Sequence, residues 1–95
     1  MTAAIAIEDG SVPHLPRGVK LRFDKQRDNW VVLAPERVFV PDPIALEIIK
    51  RCDGEASVRE IVDDLAKTFN AERALIDRDV KAMLQDLADK GVMRA

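Results

Sequence analysis

The stretch Trp30–Val40, which reads Trp-Val-Val-Leu-Ala-Pro-Glu-Arg-Val-Phe-Val, constrains the fold of this chain more than any other. Two short apolar, β-branched runs, Trp30–Leu33 and Val38–Val40, are split by Pro35-Glu36. Runs of that composition on either side of a turn dipeptide read as a tight β-hairpin. A lone hairpin is marginal in water, so it needs a third strand and a layer that covers one face. Upstream, Val19-Lys-Leu-Arg-Phe23 alternates apolar and basic positions, the period of a half-buried strand. Asp24 to Asn29 are polar and supply the turn between them. Connections this short imply an antiparallel meander, with Trp30–Leu33 as its second strand and Arg37–Val40 as its third.

The covering layer is written downstream. Pro41-Asp42-Pro43 stops the sheet, and Asp42 suits a helix N-cap just as Pro43 suits the first helical position. Ile44, Ala45, Ile48, Ile49 and Cys52 then recur at spacings of three and four. Leu46 lies off that stripe, which predicts a central helix, apolar over much of its girth and ended by Asp53-Gly54. Ser57-Val-Arg-Glu60 is a capping box that opens a second helix, with Val58, Ile61, Val62, Leu65, Ala66 and Phe69 on one face. After a polar break near Asn70, a third helix runs from about Glu72 to Lys90 and carries Ile76, Val80, Met83, Leu84 and Leu87. Gly91 closes it, and Val92-Met93 pack back as a short tail. The expected fold class is α+β: a three-stranded antiparallel sheet followed by a three-helix bundle, in a winged helix-turn-helix-like order.

Ninety-five residues allow one small domain. Residues 1–16 hold Gly10, Pro13 and Pro16 without a sustained period, so a flexible lead-in or linker is expected there and the folded domain over residues 17–95. Aromatic residues make up only 4%, which leaves Leu, Ile and Val to fill a thin core. The net charge of −2 gives no global attraction to nucleic acid or to an anionic membrane. Its distribution is uneven: residues 14–37 hold six Lys/Arg against three Asp/Glu, and residues 41–95 hold nine against twelve. Cys52 is alone, which excludes an internal disulfide and points to a reducing compartment. Met1 to Gly10 lack the basic start and long apolar run of a signal peptide, and no apolar stretch approaches the ~18 residues that span a bilayer. The expectation is a soluble, cytoplasmic protein with no membrane partner.

The chain is poor in catalytic constellations. Cys52 and His14 are the only soft metal ligands and fall in different elements, whereas a zinc site needs about four. A buried helix cysteine and a solvated histidine account for both; a Cys-His nucleophile pair would require a catalytic histidine in a Pro-flanked lead-in. Asp63 and Asp64, Asp77 and Asp79, and Asp86 and Asp89 lie on polar helix faces, the pattern of solvated surface. The four glycines are isolated, so no phosphate-cradling loop is present. No metal, cofactor or catalytic residue is therefore assigned. The helix-turn-helix order raises a winged-helix nucleic-acid binder as the alternative, with the third helix in a major groove. That helix exposes Arg73, Arg78 and Lys81, but also Asp77, Asp79, Asp86 and Asp89, so phosphate would be repelled as much as attracted. The third strand leaves two readings open: a protected sheet edge ended by Pro41, or an edge on which a peptide adds as a further strand.

The run Pro13-His-Leu-Pro-Arg-Gly-Val-Lys-Leu-Arg-Phe-Asp24, followed by Trp30-Val-Val-Leu-Ala-Pro-Glu-Arg37, resembles the PqqD family of pyrroloquinoline quinone biosynthesis. Cys52-Asp-Gly-Glu55, Val58-Arg-Glu-Ile-Val-Asp-Asp-Leu65, and the later Asp79-Val80, Leu84, Leu87 and Gly91 resemble it too. The resemblance spans roughly residues 13–93 and rests on order and spacing rather than on one motif. One departure concerns the start of the first helix, where the family usually has an apolar residue and Asn followed by small residues. Here Pro41-Asp42-Pro43-Ile44 stand instead. Pro41 cannot donate a ladder hydrogen bond, so an added strand would pair with residues before it. The resemblance implies three strands and then three helices. It implies no enzyme activity, but a peptide chaperone that binds the precursor peptide PqqA. The chaperone presents the peptide to PqqE, a radical S-adenosylmethionine enzyme that links a Glu and a Tyr of it. Some relatives are fused to another pathway enzyme, PqqC, and residues 1–16 would suit the remnant of such a linker. In the wider class of peptide recognition elements the peptide lies between the third strand and the third helix. Carried onto this chain, that groove would bring Arg37, Val38, Phe39 and Val40 opposite Val80, Lys81, Leu84 and Gln85.

Overall fold

A computed structural model describes residues 6–95. Its elements are β1 (Lys20–Asp24), β2 (Asn29–Ala34), β3 (Arg37–Phe39), α1 (Pro43–Lys50), α2 (Val58–Thr68) and α3 (Arg73–Asp89). The sheet is an antiparallel meander in the order β1-β2-β3, with Leu21 opposite Val32, Phe23 opposite Trp30, and Val32 opposite Phe39. The α+β architecture is the one the sequence implies. Opposed residues share a face and neighbours along a strand alternate. Leu21, Phe23, Trp30, Val32, Ala34 and Phe39 therefore face one way, and Lys20, Arg22, Leu33 and Val38 the other. Of the first set, Leu21, Ala34 and Phe39 pack against the helical core, and Val32 is buried in it with Ile48, Val58, Ile61, Val62, Leu65, Val80 and Leu84, whereas Phe23 stays 46% exposed.

Local chemistry explains where the elements stop. Pro35-Glu36 forms the two-residue turn that closes on the Ala34–Arg37 pair. Glu36 has φ 61°, the left-handed value needed after Pro at the third position of a type II turn, and a residue with a Cβ there costs on the order of 1 kcal/mol. Asp42 caps α1 by accepting from the Ala45 N–H at 2.8 Å, with Pro43 in the first turn. Ser57 and Glu60 bond each other's backbone reciprocally at the start of α2. At the end of α3, Gly91 takes φ +78°, while the Val92 N–H reaches the Leu87 carbonyl and the Gly91 N–H that of Ala88. This Schellman turn sends Val92 and Met93 back into the core, each only 1% exposed.

Two features differ from the sequence reading. The lead-in expected over residues 1–16 is docked from Ile7 onward; Met1 to Ile5 lie outside the described residues. The Ser11 and Asp9 carbonyls accept from the Val58 and Arg59 N–H groups, and His14 exchanges two backbone bonds with Arg94. Pro13 is fully buried, and Ile7 and Leu15 pack on the core. Periodicity misses this strap because its order comes from backbone pairing with distant elements. The second difference lies at two stripe positions: Phe69 continues the buried stripe of α2 yet is 54% exposed, and Ile44 opens that of α1 yet is 69% exposed. Phe69 caps the helix where a second Schellman turn, through Asn70 at φ 49°, ends it, and among the described residues no element covers its ring. Among the described residues no helix is long and apolar enough to cross a membrane.

Candidate functional site

β3 is one of the two edge strands of the sheet, pairing, like β1, with β2 on one side alone. Because the two-residue turn closes on Ala34 and Arg37, those two exchange backbone bonds, as do Val32 and Phe39 one pair further on. Val38, opposite Leu33, lies between them, so its N–H and C=O point away from β2 into the open edge. Val38 is 51% exposed, as is Val40. Pro41 follows and has no N–H to offer.

A groove of about 320 Å³ runs beside this edge. Phe39, Val40 and Pro41 line it from the strand side, and Met83, Asp86 and Leu87 of α3, with Lys90 at its C-cap, from the other. Val32, Ala45, Ile49 and Met93 contribute its apolar floor, and Leu15 of the strap joins them. Arg37 closes one end: its Nη2 donates to the Lys90 carbonyl at 3.0 Å, and its guanidinium lies 5.4 Å from the centre of the Phe39 ring. A cation at the carbonyl end of a helix is favourably placed, and it ties the start of β3 to the end of α3. Lys90 in turn pairs with Asp86 at 2.9 Å. An apolar floor, one free strand edge and a few charges at the rim suit an extended peptide better than a small polar substrate.

The structure brings the strand half of the expected site together and divides the helix half. Phe39 and Val40 line the groove, Arg37 stands at its end and Val38 offers its backbone. Val80 and Leu84 are core residues, 1% and 0% exposed. Lys81 and Gln85 lie on the flank of α3 that meets the strap: Lys81 pairs with Asp9 at 2.6 Å and with Asp77 at 3.1 Å, and Gln85 accepts from the Ile7 N–H at 3.0 Å. The Lys81 ammonium holds the Asp9 carboxyl below its ordinary value. The helical wall of the groove is instead Met83, Asp86, Leu87 and Lys90, at spacings of three and four. Met83 and Leu87 belong to the apolar stripe visible in the sequence; which flank of it faces β3 depends on how α3 crosses the sheet, which no local pattern records.

Cys52 is buried behind α1, and its thiol donates to the Ile48 carbonyl at 3.2 Å. Burial, with Asp53 nearby, pushes the thiol up to about 12, the opposite of what a nucleophile needs. Trp30 is half-buried, edge-on to Phe23, with the Lys50 ammonium 5.3 Å from its ring centre. It braces the sheet against the end of α1 and does not line the groove.

The family model for coenzyme PQQ synthesis protein D (PqqD) matches residues 29–93. The chain belongs to the PqqD family. Among PqqD relatives, a "PqqA binding protein" of Rhodopseudomonas palustris is 57% identical over 89 residues, covering 94% of this chain and 87% of that protein. The bifunctional coenzyme PQQ synthesis protein C/D of Methylorubrum extorquens is 44% identical over 93% of this chain, which spans 24% of the fused protein. The fold is similar to the solution NMR structure of the PqqD part of Methylobacterium extorquens PqqCD, with a TM-score of 0.80 at 43% identity, covering 95% of this chain and 96% of that one. That domain is described as a functional, stand-alone recognition element for ribosomally synthesised and post-translationally modified peptides.

Proposed function

We propose that this PqqD-family chain is a non-catalytic chaperone of the cytoplasm that captures the precursor peptide PqqA as an added strand on β3 and presents it to the radical S-adenosylmethionine enzyme PqqE. The observation that carries the reading is the outward N–H and C=O of Val38 beside an apolar groove. Backbone bonds to the edge supply affinity without reading sequence, and the Phe39–Leu87 groove selects side chains. The relatives support the peptide: the Rhodopseudomonas palustris protein is named for PqqA binding, and the Methylobacterium extorquens domain is described as a recognition element. The fused Methylorubrum extorquens relative supports PqqC as a neighbour in the assembly. Nucleic-acid binding finds no support in α3, where Arg73, Arg78, Lys81 and Lys90 each pair with a carboxylate.

Val38→Pro tests the reading. It removes an outward donor and spares the bonds to β2. Isothermal titration with PqqA is expected to show an affinity loss of about tenfold or more, with the thermal melt little changed. Unchanged affinity in the folded variant would refute strand capture at β3.

A further inference from the structure

A second apolar cleft, of about 420 Å³, opens on the other side of the first turn of α1. Ile44, Leu65, Phe69, Ile76 and Val80 are among its walls, and Glu47 and Asp79 are the polar lining residues among those described. Ile44 is 69% exposed and Phe69 54%, although both continue helical stripes that are otherwise core. A domain this small seldom leaves large apolar side chains uncovered at a concave site without a contact to make there.

The cleft and the groove share one side of α3. Ile76 and Asp79 line the cleft, and Met83, Asp86, Leu87 and Lys90 line the groove, at helical spacings of three and four. At 1.5 Å per residue, the centres of the two sets lie about 13 Å apart along the helix. The bond from Arg37 to the Lys90 carbonyl fixes the sense of the strand: β3 starts at the end of α3, and Val40 and Pro41 lie towards its beginning. A polypeptide following β3 past Val40 therefore heads for the cleft. Pro41 gives it no further N–H to pair with, and Asp42 and Ala45 line the groove while Ile44 and Ile48 line the cleft. An extended chain covers the separation in about four residues.

We infer that the cleft is a second subsite for the same bound peptide, seating large apolar side chains about four residues outside its strand-forming segment. The inference rests on strand capture at β3 and adds where specificity is read: the edge binds backbone, and the α1–α2–α3 cleft selects hydrophobic residues.

The test uses the full chain and the PqqA peptide. Ile44→Ser and Phe69→Ser remove side chains that are already exposed, and Ile44→Ala serves as a milder check on folding. Each serine variant is expected to lower affinity roughly tenfold, and the Ile44 and Phe69 signals in the wild-type NMR spectrum should shift on adding peptide. Wild-type affinity in both variants, with peptide shifts intact at Arg37–Val40, would overturn the second subsite and leave strand capture standing. Loss of self-association in light scattering, at unchanged peptide affinity, would assign the cleft to a second copy and also overturn it. Absence of any shift at Arg37–Val40 would overturn strand capture and this subsite together.

Discussion

Cys52 shows how one residue's setting decides its chemistry. Its thiol is held by the Ile48 carbonyl inside the core and pushed up to about 12 by burial. A shift of that size lowers the thiolate fraction near neutrality by on the order of a thousandfold relative to an ordinary cysteine. Labelling of the native protein by a thiol reagent at pH 8 is expected to be at least about a hundredfold slower than in denaturant; equal rates would contradict the buried placement. The linkage has a definite sign. The folded value lies above the ordinary 9.0, so the unfolded chain releases its proton first, and this group's contribution to stability falls as pH rises from 9.0 towards about 12. At this scale the sequence was most legible where the cause is local. Asp42, Pro43 and the Ser57–Glu60 pair do what their types and spacing dictate. Phe69 was illegible because its exposure depends on what α1 and α3 leave uncovered, not on its own helix.

At the scale of elements, β3 and α3 have different histories. The β3 edge could be read in advance, since a short run between a turn and Pro41 can only lie at the margin of a sheet. The α3 stripe could be read too, but not the flank that it turns to β3. Val80 and Leu84 sit at the centre of the stripe and are consumed by the core. Lys81 and Gln85 lie one step round the helix, against a strap that carries no periodic signal. The flank of Met83 and Leu87 remains for the groove. Met83→Ala should therefore weaken PqqA binding by several-fold, on the scale of a partly buried side chain. Lys81→Ala should leave binding unchanged while loosening the strap. Titration calorimetry on both variants separates the two flanks; the reverse order of effects would put the peptide on the strap side.

For the whole molecule, a mildly basic sheet packs on a mildly acidic helical half, and the strap from Ile7 to Leu15 lies against the helices. The strap bonds to the start of α2, to α3 and to the tail at Arg94, so it holds the helices in place behind the groove. With the helices fixed, the proposed peptide path runs along the β3 edge and the side of α3 from Ile76 to Lys90. The most direct test of strand capture is an amide NMR titration of the full chain with PqqA. The expected result is a set of saturating shifts concentrated at Arg37–Val40 and Met83–Lys90, with Lys20–Asp24 little affected. Saturable binding with those residues unmoved, and the shifts on the strap or β1 instead, would contradict it.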